Sequence, residues 1–115
     1  MADFATFVAV AGGSDIGVAR GAGHPTRLDV RELIGMWVAP SARRQAIGSS
    51  LIDAVADWAR SQGATALVLD VVEDNYPAIA LYASRGFELT GDSLSEVARG
   101  EIRMVKSIAS IRDAD

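Results

Sequence analysis

Apolar and polar positions change their rhythm twice along this 115-residue chain, and the changes divide it into strands and helices. Residues 4–11 are almost wholly apolar and include Phe7, Val8 and Val10. Gly12, Gly13, Ser14 and Asp15 then supply turn chemistry before a second short apolar run at 16–19, a pattern that predicts a hairpin. Gly21, Gly23 and Pro25 punctuate the next connection, and residues 28–38 read as a longer strand that ends at Ala39 and Pro40. Three antiparallel strands are therefore expected to open the chain.

From Ser41 the apolar spacing lengthens from about two residues to about 3.6, with Ile47, Leu51, Ala54, Val55 and Trp58 on one side and Asp53, Asp57 and Arg60 largely on the other. The spacing predicts an amphipathic helix over 42–62, closed by Gln62 and Gly63. Residues 65–72 form a near-continuous apolar run, as a buried parallel strand requires. Strand 28–38, helix 42–62 and strand 65–72 make a βαβ unit. Asn75 followed by Pro77 predicts a second helix that Gly86 stops. Residues 87–90 and 102–108 are the last strands, on either side of a polar loop at 91–100. The fold class expected is mixed α/β (α+β), in a single domain over 1–115.

In open α/β sheets ligands gather beyond the carboxyl ends of parallel strands, which directs attention to residues 40–51. Small residues at 46 and 48–50 let a ligand approach the backbone at a helix start, where N–H groups lack partners, and Arg43 and Arg44 add positive charge. Such a turn can hold a phosphate; tight packing of helix on sheet is the alternative reason for small residues. Asn75, Ala78, Ile79 and Tyr82 share one face of the second helix. His24 lies in a turn with no ligand spacing around it, and Trp37 and Trp58 are expected in the core.

Val38-Ala39-Pro40, Arg43-x-x-Ala46-Ile47-Gly48 with Leu51, and Asn75-x-x-Ala78-x-x-Leu81-Tyr82-x-x-x-Gly86-Phe87 together resemble the two central motifs of the GNAT acetyltransferases. The close resemblance covers residues 30–90. It implies that acetyl-CoA is the co-substrate, with its pyrophosphate on Arg43, Arg44, Gln45, Ala46, Ile47, Gly48 and Ser49 and its pantetheine arm on Met36, Trp37, Val38 and Asn75. It implies that Tyr82 serves the departing thiolate, with aromatic packing as the alternative role. Glu32 stands where some members carry a glutamate that acts as base through water, and a solvated strand residue is the alternative there. Glycines usual in the family are replaced by Arg44 and Ala46. Asp70, in an otherwise apolar strand, is left unassigned. A full domain of the family begins with a strand and two helices, and this chain starts at the strand that follows them, which reads as an N-terminal truncation or a wall supplied by a partner subunit.

Composition narrows the partners. With no cysteine, disulfides, thiolate metal sites and a cysteine nucleophile are excluded, and the single histidine leaves no metal expected. A formal net charge of −4 argues against nucleic acid and suits an amine, with plain solubility as the alternative reason for such a charge. No apolar run reaches membrane-spanning length and no signal peptide is recognisable, so no membrane partner and a cytoplasmic location are expected. The expected function is transfer of acetyl to a small-molecule or peptide amine; an acetyl-CoA-binding module without turnover is the alternative. An exposed sheet edge favours a homodimer. Light scattering over a concentration series should show a dimer, and only monomer alongside intact cofactor binding would count against it.

Overall fold

The first reversal of the chain falls at Gly12 and Gly13, both at positive φ, which join β1 (Phe4–Ala11) to β2 (Ser14–Gly23) as the expected antiparallel hairpin. This is seen in a computed structural model that describes residues 3–43, 46–90 and 100–109. β2 runs on through Gly21 and Gly23, which the sequence pattern placed in a connection. The reason is the indole of Trp58, which lies over the strand so closely that a Cβ on Gly21 would be 2.5 Å from the ring.

β2 pairs antiparallel with β3 (Val30–Val38), but the register moves from Arg20 opposite Ile34 to Val18 opposite Trp37. Gly35 and Met36 thus share the single partner Ala19, a β-bulge for which Gly35 adopts φ 59°. The bulge resets the alternation: Leu33 before it and Met36 and Val38 after it belong to the core, whereas Ile34 and Trp37 are exposed. Trp37, expected in the core, is 48% exposed for this reason.

Among the described residues, β3 has no strand on its other side beyond the bulge. Its parallel pairing with β4 (Ala66–Val72) covers only Val30–Glu32 against Ala66–Val68. β4 instead keeps a full antiparallel partner in β6 (Glu101–Ser107), and the short β5 (Glu88–Leu89) closes the outer edge of β6. The order across the sheet is β1-β2-β3-β4-β6-β5. Antiparallel opening strands and one parallel pair match expectation, and the insertion of β6 between β4 and β5 is added by the structure.

Both helices pack on one face. Helix α1 (Ile47–Ser61) is shorter than the expected 42–62, because Pro40–Ala42 form a 3-10 turn first. Helix α2 is Tyr76–Ser84. Leu51, Ile52 and Val55 of α1 meet Leu33, Leu67, Leu69, Phe87 and Met104, and Ile79, Leu81 and Tyr82 of α2 pack against them. Each fully buried aliphatic side chain there stabilises the fold by roughly 1.5–3 kcal/mol. Arg85 at the end of α2 donates to both carboxylate oxygens of Asp53 on α1, at 2.8 and 2.6 Å. No helix among the described residues covers the opposite face, where Phe4, Val8, Val10 and Ile34 are exposed.

Two glycines should respond differently to alanine. Gly21→Ala is expected to cost roughly 1–3 kcal/mol through collision with Trp58. Gly35→Ala, with nothing within 4 Å of its Cβ, should cost about 1 kcal/mol through backbone strain alone. Chemical denaturation measures both, and a Gly35→Ala midpoint equal to that of the parent would contradict the bulge.

Candidate active site

The gap between β3 and β4 faces the start of α1. Ser50 donates the first helical hydrogen bond, to the carbonyl of Ala46 at 3.0 Å, so the N–H groups of Ile47, Gly48 and Ser49 have no acceptor within the helix. Among the described residues no side chain caps them, and no acidic residue stands in the first turn. Three aligned donors at the positive end of a helix dipole make an anion site. Ala46 enters the helix at φ 62°, the left-handed conformation that glycine adopts without strain and alanine adopts at roughly 1 kcal/mol. A glycine at this position would remove that strain.

Gly48 has a packing reason too. A Cβ there would lie 3.0 Å from Leu81 and 3.2 Å from Met36, so the glycine lets α1, α2 and β3 close together while the N–H groups beside it stay open. Arg43 is exposed and donates through Nε to the carbonyl of Val38 at 3.1 Å. Met36, Trp37, Val38, Arg43, Ala46, Ile47, Gly48 and Ser49 line one cleft of about 670 Å³ with Asn75, Leu81 and Tyr82. The structure thus brings together the expected cofactor residues, except Arg44 and Gln45, which lie outside the described residues.

Helix α2 supplies the remaining groups. Asn75 caps it, its Oδ1 accepting from the N–H of Ala78 at 3.3 Å, and the same residue lines the cleft. At the other end Gly86, at φ 93°, donates to the carbonyl of Ala83, and Phe87 donates to that of Tyr82. This is a Schellman turn, and its usual apolar contact is here the ring of Phe87 against the ring of Tyr82, edge to face at 5.8 Å. The turn that ends the helix therefore also fixes the tyrosine. Burial raises the Tyr82 pKa above the ordinary tyrosine value, so its phenol stays protonated through neutral and mildly alkaline pH.

A second cleft, of about 370 Å³, is lined by Glu32, Ile34, Asp70, Val72 and Glu101. It shares Met36, Asn75, Ala78 and Tyr82 with the first, so the two meet at the tyrosine. Glu32 is half-buried there. Asp70 accepts from Arg103 at 2.8 and 3.0 Å, which accounts for a charge in the middle of an apolar strand. His24 serves a turn, its Nδ1 accepting from the N–H groups of Thr26 and Arg27 at 3.1 Å each. Glu101 was not foreseen. It follows the polar loop in sequence and enters the cleft only because β6 pairs with β4, placing it opposite Val72.

The model of the Acetyltransferase (GNAT) family matches residues 2–87, well over half of the chain. Streptothricin acetyltransferase of Streptomyces lavendulae is 37% identical over 93 residues, which are 78% of this chain and 48% of that protein. The crystal structure of nourseothricin acetyltransferase superposes with a TM-score of 0.79 at 28% identity, over 92% of this chain and 66% of that one. A Thermoplasma acidophilum PaiA N-acetyltransferase in complex with coenzyme A shares the fold, with a TM-score of 0.78 at 19% identity over 91% of this chain and 61% of that one. This chain spans between 31% and 48% of the length of the first curated relatives it matches.

The raised pKa of Tyr82 can be measured directly. Phenolate absorbance of the parent minus that of Tyr82→Phe should titrate with a midpoint above about 10. The folded state holds this proton more tightly than the unfolded chain, so the linked stability is present below the unfolded pKa and is lost as pH rises through the folded one. A difference midpoint below the ordinary value would contradict the burial.

Proposed function

The chain belongs to the Acetyltransferase (GNAT) family, and we propose that it transfers acetyl from acetyl-CoA to a primary amine of a small molecule or peptide. The observation that carries this reading is the meeting of two clefts at Tyr82, one with an anion-binding helix start and the other with a half-buried carboxylate. The N–H groups of Ile47, Gly48 and Ser49 receive the pyrophosphate. The unpaired side of β3 beyond Glu32 offers main-chain groups to the amide-bearing pantetheine arm, which completes the ladder that β4 abandons. The relatives named for streptothricin and nourseothricin support a small-molecule acceptor, and the CoA-bound neighbour of the same fold supports the co-substrate.

In the proposed reaction Glu32 takes a proton from the acceptor ammonium through water, and the freed nitrogen attacks the thioester carbonyl. The C–N bond forms and the C–S bond breaks. The thiolate leaves hydrogen-bonded to the Tyr82 phenol and takes its proton, and the second proton, shed by the nitrogen once the C–N bond has formed, passes to solvent, from which the phenol is reprotonated. Because burial holds the phenol neutral, Tyr82 is always a donor where the amine reacts. The chain has no cysteine, so direct attack needs no thiol nucleophile on the protein.

Calorimetric titration with acetyl-CoA and CoA, beside an acceptor-dependent CoA-release assay, tests the reading. The parent should bind both. Ser49→Glu puts a carboxylate at a helix N-terminus, where it favours the helix but repels phosphate, so binding should weaken tenfold or more without loss of stability. Tyr82→Phe should bind as the parent does and lose about 100-fold in turnover. Binding without turnover by the parent would leave a CoA-binding module, and no binding by a folded parent would overturn the site.

A further inference from the structure

We propose that the acceptor carries at least two ammonium groups: one reacts between Glu32 and Tyr82, and the second is held by Glu101. The proposal rests on the acetyl-transfer reading above and adds to it the class of amine. Among the described residues, the cleft that runs through the strand gap to the helix-free face is lined by three carboxylates, Glu32, Asp70 and Glu101, and by no lysine, arginine or histidine. Arg103 neutralises Asp70. Glu32 and Glu101 have no ion-pair partner among the described residues, and each is half-buried. Two uncompensated carboxylates facing a shared cleft create a local demand for positive charge.

Their spacing says what kind of cation fits. Glu32 is paired with Val68 and Glu101 with Val72, so they stand four residues apart along β4 and on opposite sides of it. At ordinary strand spacing and rise this separates their Cα atoms by about 16 Å. One ammonium does not reach both. Nor do these groups converge on a point: among the described residues no cluster of three or more such side chains could hold a metal ion. Both strand partners, Val68 and Val72, lie outside the apolar core beneath the helices, which puts the two glutamates on the helix-free face. An elongated molecule with separated ammonium groups matches this layout. A linear polyamine and a compact amino sugar both have that chemistry, and the separation of the carboxylates favours the longer reach.

The test uses the full chain with acetyl-CoA and a series of alkyl monoamines, α,ω-diamines of increasing length, spermidine and an aminocyclitol. The kcat/KM should rise when a second ammonium is added, and the gain should shrink as salt increases. Glu101→Gln should lower the diamine-to-monoamine ratio of kcat/KM about fivefold, and Glu101→Lys should abolish the preference. Asp57→Asn makes the same charge change on an exposed part of α1 and should leave the ratio unaltered. Calorimetry of diamines with CoA-saturated protein gives a readout independent of turnover, in which Glu101→Gln weakens binding. A parent ratio near one, a ratio untouched by Glu101→Gln, or diamines that do not bind would overturn the proposal. Diamine binding that depends on Glu101, with no CoA release for any amine, would uphold it and sink the acetyl-transfer reading alone. Better use of long diamines and spermidine than of the aminocyclitol identifies a linear polyamine, and the reverse identifies an amino sugar.

Discussion

A parallel strand pair is held by evenly spaced, slanted hydrogen bonds, and here that ladder stops after Glu32 and Val68. The rest of the site depends on the stop. Three residues later Gly35 takes a left-handed conformation, the bulge turns Met36 toward the helices, and β3 stays with β2 while β4 stays with β6. An opening in the middle of a sheet leaves main-chain donors and acceptors unsatisfied, which a protein interior tolerates poorly unless water or a ligand meets them. The gap is thus both a cost in the empty protein and the reason a chain-like ligand with amide groups would be held there.

The walls of the gap are kept in place by the ends of helices. α1 begins without any side-chain cap, which leaves its donors free, and both helices finish in Schellman turns that satisfy their last carbonyls internally. In α1 the turn is Gly63 to Arg60 and Ala64 to Ala59; in α2 it is Gly86 to Ala83 and Phe87 to Tyr82. Lys106 of β6 donates to the carbonyl of Arg85, and Arg85 grips Asp53. Arg85, which ends the tyrosine's helix, is accordingly tied to α1 and to β6, while the ring of Phe87 packs on the tyrosine itself.

Much of this was legible in the sequence because local chemistry determined it. The glycine turn of the hairpin, the helical spacing from Ile47 to Trp58, the Asn75 cap and the glycine stops all act within a few residues, and they put Tyr82 on α2 and end both helices where expected, although α1 starts five residues later than the expected 42 because a 3-10 turn precedes it. What was not legible depends on partners distant in the chain. Gly21 looked like a break because its reason, Trp58, lies 37 positions away. Trp37 looked like core because a bulge one residue pair earlier cannot be read from alternation alone. Asp70 and Glu101 acquire their roles only when β6 is laid beside β4.

Among the described residues the helices lie on one face of the sheet, and this has a further consequence, in kinetics. In the proposed reaction the cofactor lies in the cleft beneath the helix start and the acceptor in the second cleft, which runs through the strand gap, and the two meet at Tyr82. Neither ligand lies across the exit of the other. An enzyme with two separate doors can fill and empty them in any order, and its double-reciprocal plots intersect. One with a single door must fill in a fixed order: its plots intersect too, but an inert analogue of the second reactant then binds only after the first. In the proposed reaction the two clefts would serve as two separate doors.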